Sequence, residues 1–129
     1  MSAFSEVVEA VASLAQTAAG VSVSIGALPA DNAVCIAPAS GAPSSTFLDK
    51  GMSYQWAMVC NAKNTDQQAA QEVLNTIHLA LTQTKTYPSG AAWQITDIGT
   101  IAAPSYLSRE QNSQWLYGSS LRVKFFLRS

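Results

Sequence analysis

Apolar residues recur at helical spacing in two segments of the chain, residues 4 to 18 and residues 65 to 82. This spacing makes one side of a helix apolar, as in helices that pack against another layer. The first segment is followed by Gly20, at a place where a residue in the left-handed conformation often ends a helix. The second opens with Thr65 and Gln68 at the spacing of a capping box. These patterns predict two amphipathic helices.

Other segments alternate between apolar and polar residues, as strands with one buried face do. Residues 21 to 25 and 33 to 37 are short runs with turn-forming residues between them, which predicts a hairpin. Residues 38 to 45, PASGAPSS, are rich in proline, glycine and serine and predict a surface loop. Residues 52 to 61 predict a central strand. One face of that strand carries Met52, Tyr54, Trp56, Met58 and Cys60.

A further strand is predicted over residues 91 to 103. Gly99 lies where the alternation slips, so we expect a bulge there. Pro104 is expected to end the strand. Residues 105 to 114 are mostly polar and predict a connection to the last strand.

The last predicted strand, residues 114 to 128, has two contrasting faces. The face expected to lie in the core carries Ser119, Leu121, Val123, Phe125 and Leu127. The other face carries Ser120, Arg122, Lys124, Phe126 and Arg128. This second face is either the solvated side of an edge strand, charged to prevent uncontrolled pairing, or a surface for another protein. The presence of Phe126 beside arginines favours the second interpretation, since aromatic residues and Arg are enriched at interfaces.

The order of the predicted elements is a helix, a hairpin, a strand, a second helix and a closing pair of strands, which is typical of the α+β class. A length of 129 residues fits one domain. We therefore expect a single domain with a mixed, mainly antiparallel sheet flanked by two helices.

Charge is scarce in this chain. Asp, Glu, Lys and Arg make up 12% of the residues and the net charge is −1, whereas charged residues make up about 25% of an ordinary domain. A weakly charged surface repels copies of itself poorly, which makes self-association more plausible. The same composition argues against direct, sequence-specific nucleic-acid binding, which requires clustered Lys and Arg.

No segment has the ~18 or more consecutive apolar residues of a membrane-spanning helix, and the amino terminus lacks the pattern of a secretory signal. We expect a chain that is cytosolic when made and does not contact a membrane. Cys35 and Cys60 lie in apolar runs, so buried thiols are the better interpretation than a disulfide or a reactive nucleophile. On neighbouring strands the two thiols could still be close enough to oxidise.

Residues that carry catalysis are sparse. The chain has one histidine and neither CxxC nor HxxxH spacing, so we expect no metal site and no cofactor. His78 could act as a general base with Asp66, Glu72 or Asp97, but it lies beside the apolar stripe of the second helix, where a structural histidine is more common. There is neither a GxSxG turn nor a phosphate-binding glycine loop. Nothing in the sequence identifies a catalytic residue.

One alternative stays open from the residues alone. It is a small-molecule-binding or enzymatic α+β domain with a pocket around His78. Such a domain requires His78 or Asp97 to face an apolar pocket together with Trp56 or Trp93. Tryptophans on the strands of a small domain more often belong to the core.

The segments QWAMVCNAKNTDQQAAQEVLNTIHLAL and WQITDIGTIAAPSYLSREQNSQWLYGSSLRVKFF follow a recognisable order. A strand is followed by an Asn-rich turn, an amphipathic helix, a strand ending near a proline, a polar insertion and a final aromatic strand. Over residues 51 to 129 this order resembles the small tail-terminator and minor capsid proteins of long-tailed bacteriophages. The resemblance implies that residues 1 to 129 form one tail-terminator-like domain with a structural role at the head-tail junction and no enzymatic activity.

Proteins of these families commonly form rings, often hexamers, that cap the tail tube and meet the head connector. The resemblance thus implies that the partners are other copies of this chain, tail-tube proteins and head-connector proteins. It also implies a location in the virion, with assembly in the host bacterial cytoplasm. A prophage gene, a free phage gene and an adaptor of a tail-related secretion apparatus are all compatible with it.

A ring requires a contact between two different surfaces, and an exposed strand edge can supply such a contact through backbone pairing. We expect the last strand and residues 104 to 114 to contribute to it. The side chains predicted at this subunit or partner interface are Tyr106, Arg109, Trp115, Tyr117, Arg122, Lys124, Phe126 and Arg128.

Overall fold

The computed structural model describes residues 3–26, 32–46, 52–109 and 113–127. The elements are α1 (Ala3–Ala19), β1 (Val23–Ile25), β2 (Ala33–Thr46), β3 (Met52–Asn64), α2 (Gln67–Gln83), β4 (Trp93–Arg109) and β5 (Trp115–Leu127). The strands form one sheet in the order β1-β2-β3-β5-β4. β1 and β2 are parallel and the other pairs are antiparallel. The predicted class is confirmed: a single α+β domain with a mixed sheet and two helices.

Both helices begin and end close to their predicted bounds. Gly20 has a φ of +71° and its N–H donates to the carbonyl oxygen of Gln16 at 2.9 Å, which ends α1 as predicted. The N-cap of α2 is Asp66 and not Thr65, because the Asp66 carboxylate accepts from the N–H of Gln68 at 3.0 Å. A carboxylate also interacts favourably with the positive end of the helix dipole.

Both helices pack on the same face of the sheet, which we call the covered face. The core there joins Val7, Val11 and Ala15 of α1 and Leu74, Ile77 and Leu81 of α2 to strand residues that include Met58, Leu121, Val123 and Phe125. The alternation predicted for the last strand is confirmed, because Leu121, Val123 and Phe125 are buried while Arg122, Lys124 and Phe126 are only half-buried. Those last three side chains lie on the opposite face, the open face, against which neither helix packs.

The predicted hairpin over residues 21 to 37 is wrong. Val23 to Ile25 pair in parallel with Val34 to Ile36. Gly26, with φ +99°, follows the three-residue strand at once, and its N–H donates to the carbonyl oxygen of Ile36 at 2.9 Å. Alternation predicts that a segment is extended, but it carries no information about the direction in which two such segments pair.

The predicted loop over residues 38 to 45 is also wrong, because this segment continues β2 and pairs with β3. The register shifts between Pro38 and Gly41 and again between Pro43 and Ser45. Beyond Ile36, β2 has no described partner on its outer side. Prolines are tolerated at bulges and on strand edges, where no ladder N–H is needed.

Pro104 does not end β4, which continues to Arg109 and pairs with β5 along its length. Gly99 pairs in register with Arg122, and the nearest register shifts lie between Ile95 and Asp97 and between Thr100 and Ala102. The predicted bulge is therefore displaced from Gly99 to its two sides. Because β4 pairs with β5 on one side only, it forms one edge of the sheet.

The last strand, β5, is interior because it lies between β3 and β4. Its backbone groups are used by both neighbours, so the interpretation of Arg122 and Lys124 as the face of an edge strand is wrong. Backbone pairing with another copy is open to β4 and not to β5.

Candidate interaction surfaces

His78 is buried, with 6% of its side chain exposed. Its Nε2 lies 2.8 Å from Oγ1 of Thr100 on β4, and its Nδ1 is buried without a hydrogen-bond partner among the described residues. Burial lowers the pKa of His78 from its usual 6.5, because the charged imidazolium loses hydration there. His78 thus links α2 to β4 as a neutral side chain.

The carboxylates considered as partners for His78 lie elsewhere. Asp66 caps the start of α2 and Glu72 is exposed on that helix. Asp97 pairs in register with Lys124 on the open face, whereas His78 is buried on the covered face. The structure therefore separates the groups that a general-base mechanism would bring together.

The tryptophans do not complete a pocket at His78 either. Trp93 pairs in register with Leu127, at the end of the β4-β5 ladder opposite to the pair of Arg109 and Trp115. Trp56 packs edge-to-face on Phe4, with 5.4 Å between ring centroids. Both belong to or pack against the core, as strand tryptophans commonly do.

Cys35 and Cys60 are buried free thiols. Cys35 pairs in register with Asn61, and Cys60 pairs with Ile36, so the two thiols lie on neighbouring strands but point to opposite faces of the sheet. Burial raises the pKa of the Cys60 thiol to about 12 and also raises that of Cys35. Over the described ranges, no three His, Cys, Asp or Glu residues are grouped as a metal site would require.

The second half of β4, residues 101 to 109, is the most exposed strand segment that the structure describes, and we call it the arm. All of its residues are exposed except Pro104, which is half-buried. Three large apolar side chains of the arm are about half accessible: Ile101 at 54%, Tyr106 at 51% and Leu107 at 52%. Residues 105 to 109 are part of β4, so the connection predicted over residues 105 to 114 is wrong for them.

Aromatic contacts hold the arm against β5. The ring of Tyr106 lies 6.0 Å from that of Trp115 and 5.9 Å from that of Tyr117. The guanidinium carbon of Arg109 is 5.1 Å from the Trp115 ring centroid, which is a cation-π contact. Tyr117 is buried and its hydroxyl accepts from Nε2 of Gln67 at 2.9 Å. Among the predicted interface residues, Tyr106 and Arg109 are exposed, Trp115 is half-buried and Tyr117 is buried. Tyr117 contributes to the arm through its contact with the Tyr106 ring.

The remaining predicted interface side chains lie on the open face. Arg122, Lys124 and Phe126 are half-buried there, and Arg128 lies outside the described residues. The Arg122 guanidinium lies over Gly99, because a Cβ at that glycine would stand 3.0 Å from its Nη2. Its Nε is buried and has no hydrogen-bond partner among the described residues. Part of the Arg122 side chain therefore packs against the neighbouring strand β4.

Charge divides between the two layers of the domain. The helices contain Glu6, Glu9 and Glu72 and no Lys or Arg. The described strands contain Lys63, Arg109, Arg122 and Lys124, with Asp97 as their acidic residue. Within the described elements, the helices therefore carry only acidic residues and the strands mostly basic ones, although the net charge of the chain is only −1.

A groove lies at the sheet edge opposite the arm, between the start of α1 and strands β1 to β3. It has a volume of about 400 Å³ and is lined by Phe4, Ser5, Val8, Glu9, Ile25, Pro38 and Trp56. Phe4 is 37% exposed and Ile25 is 48% exposed. Phe4 is anchored by edge-to-face contacts with Tyr54 and Phe125.

The sequence pattern gives no indication of this groove. Phe4 lies in the segment predicted as the first helix, and Ile25 lies in the segment predicted as a hairpin. Only the parallel pairing of β1 beside α1 brings the two side chains to one edge. No pattern in the sequence indicates that Glu9 supplies the one charged side chain of this lining.

The large apolar side chains that are exposed in the described part of the chain are Phe4, Val21, Ile25, Leu79, Ile101, Tyr106 and Leu107. Ile101, Tyr106 and Leu107 lie on the arm, at the β4 edge of the sheet. Ile25 lies on β1 at the other edge, and Phe4 lies beside it in the groove, where its ring packs on the interior strands β3 and β5. The described residues therefore present exposed apolar side chains at two separate places, the arm and the groove.

In the described residues, neither helix has the length and apolar character needed to cross a membrane. Comparison of the sequence with protein-family models and with curated proteins gives no match.

Proposed function

We propose that this protein is a structural subunit of the head-tail junction of a long-tailed bacteriophage, either a tail terminator or a minor capsid protein. In this role copies of the chain assemble into a ring that caps the tail tube and joins it to the head connector. The proposal rests on the sequence resemblance together with the surface properties of the fold.

The observation that carries the ring is the presence of exposed apolar side chains at two separate places, the arm on β4 and the groove between α1 and β1. A contact between two different surfaces of the same subunit repeats from copy to copy, and it closes into a ring when the rotation between copies allows. Two unlike apolar surfaces on one subunit meet that requirement. A single apolar patch would instead favour a two-fold dimer.

The positions of the side chains that a catalytic or ligand-binding pocket at His78 would need favour the structural role. His78 bonds to Thr100, Asp97 lies on the other face of the sheet and Trp93 belongs to the core. The low charge of the surface also limits repulsion between copies.

The test is the mass of the purified protein over a concentration series, measured by light scattering after size-exclusion chromatography, with negative-stain electron microscopy of the largest species. We expect a discrete closed oligomer whose population grows with concentration. A protein that stays monomeric at all concentrations would contradict the ring.

The location in a virion needs a separate measurement. Tailed particles released by the source bacterium are purified and labelled with an antibody against this protein. Label at the junction of head and tail is expected. Tailed particles that carry no label would contradict the assignment to the virion even if rings form.

A further inference from the structure

We infer that the arm of one copy docks in the groove of the next copy, with Arg109 of the arm beside Glu9 of the groove. The inference rests on the proposed self-assembly and specifies the two surfaces that make the contact. The occupant of the groove is thus a second copy of this chain.

The apolar character of the two surfaces favours this pairing. About half of each of the Ile101, Tyr106 and Leu107 side chains is accessible on the arm, and the groove leaves parts of Phe4 and Ile25 accessible. Joining the two surfaces removes apolar area of both from water, which is the main driving force of association. Each surface packs in part on its own domain, Tyr106 on Trp115 and Phe4 on Tyr54, and a docked copy would cover the accessible part that remains.

Charge gives the pairing its specificity. The arm contains Arg109 and no acidic residue, and the groove lining contains Glu9 and no basic residue. Arm against arm would place two arginines together, and groove against groove would place two glutamates together. Complementary charges at a contact suppress the wrong pairings more than they add affinity.

The irregular edge of β4 argues against a contact in which a strand of the second copy pairs with the β4 backbone. Register shifts interrupt the β4-β5 ladder between Thr100 and Ala102, between Ala102 and Ser105 and between Tyr106 and Ser108, and Pro104 lacks an N–H. Bulges and prolines are features by which natural edges avoid strand addition. Side chains of the arm are therefore expected to make the contact.

The first experiment uses three substitutions at positions of similar exposure: Leu107→Asp on the arm, Ile25→Asp in the groove and Leu79→Asp on α2 as the control. The wild-type side chains are 52%, 48% and 53% exposed. We expect each of the first two changes to weaken assembly ~10-fold or more, as loss of a central interface contact does. The control should leave it unchanged. Circular dichroism melting curves check that all three variants are folded.

The decisive measurement mixes the two weakened variants. The Leu107→Asp protein keeps an intact groove and the Ile25→Asp protein keeps an intact arm, so one good contact can form between them. We expect a one-to-one complex in the mixture that neither variant forms alone. A mixture that stays monomeric, or single variants that assemble as the wild type does, would overturn the inference while leaving the ring intact.

Charge exchange tests the role of the two ionic residues. Arg109→Glu and Glu9→Arg should each weaken assembly, and the protein that carries both should recover most of the loss. Additive losses in the double variant would overturn the pairing of Arg109 with Glu9. A wild-type protein that never assembles would overturn both this inference and the proposed ring, so the two failures are distinguishable.

Discussion

The two halves of β4 carry similar side chains in different surroundings. Trp93, Ile95 and Ile98 in the first half are buried, whereas Ile101 and Leu107 in the arm are exposed. The same β5 strand pairs with both halves. The difference lies in the cover, because Trp93, Ile95 and Ile98 belong to the core that the helices cover, whereas Ile101 and Leu107 do not. The hydrogen bond between His78 of α2 and Thr100 lies at the border of the two halves.

An apolar residue on a strand therefore belongs to the core only where a second layer, here the helices, packs on it. Strands can extend beyond the helices that cover them, and the extension keeps its apolar side chains without burying them. Such exposed apolar patches mark interaction sites in soluble proteins.

The largest effect is expected from truncating one isoleucine in each half. Ile95→Ala leaves a cavity under the helices and should lower the free energy of unfolding by ~2–5 kcal/mol. Ile101→Ala removes an exposed side chain and should change it by no more than about 0.5 kcal/mol. Urea unfolding at a concentration where the protein is monomeric measures both. Equal losses at the two positions would contradict the contrast.

A smaller effect is expected at the turn that precedes β4. Gly90 donates its N–H to the carbonyl oxygen of Trp93 at 2.8 Å, and a Cβ on Gly90 would overlap the indole ring of Trp93. Gly90→Ala should therefore displace that ring and cost ~1–3 kcal/mol, as overpacking does. The neighbouring exposed Ser89→Ala is the matched control, and thermal unfolding compares the two. A Gly90→Ala protein as stable as the control would show that the ring is free to move.

The stability of the folded protein should depend on pH through His78, which lies at the border between the two halves of β4. The unfolded histidine binds a proton near its usual pKa of 6.5, and burial lowers the pKa of His78 in the folded protein. Just below 6.5 the unfolded chain therefore binds more protons, so stability falls as the pH falls. The contribution of neutral His78 is fully present above about pH 6.5 and declines below it.

His78→Gln should flatten this dependence. Melting temperatures of the wild type and the variant, measured between about pH 7.5 and 5, give the two slopes. Carboxylates titrate mostly below this window, so they contribute little to the difference. Parallel slopes would show that His78 carries no pH-dependent stability.

The smallest effect is expected at the tip of the arm. Arg109→Ala removes the cation-π contact with Trp115, which at an exposed site is worth ~0.5–1 kcal/mol. The loss should be local, so amide hydrogen exchange at Trp115 and Leu116 should quicken while exchange in the covered half stays unchanged. Arg109→Lys keeps the charge and should quicken exchange less. Equal protection in Arg109→Ala and wild type would show that the contact does not hold the arm.

Much of the local structure follows from the order of residues alone. The spacing of Val7, Val11 and Ala15 and of Leu74, Ile77 and Leu81 predicted both helices, and the alternation of Leu121, Val123 and Phe125 predicted the buried face of β5. Gly20 correctly marked the end of α1. These signals are local, because helix and strand periods require only neighbours in sequence.

The proline-containing segments were misinterpreted for a physical reason. Prolines disfavour regular pairing, so Pro38, Pro43 and Pro104 predict a loop and a strand end. In the structure Pro38 and Pro43 adjoin register shifts of β2, and Pro104 lies within a register shift of the edge strand β4. Whether a proline ends a strand depends on which side of it is paired, and that is a property of the sheet.

The helices, the extended segments, the α+β class and the side chains able to form a core follow from the order of residues, because these features depend on spacing and residue type. The parallel pairing of β1 with β2, the interior position of β5 and the edge position of β4 follow from the three-dimensional fold. The same fold also determines that Phe4 and Ile25 share a groove with Glu9 at the far edge from Leu107 and Arg109. Strand order and helix cover arise from contacts between residues distant in sequence, so the positions of both candidate surfaces follow from the fold.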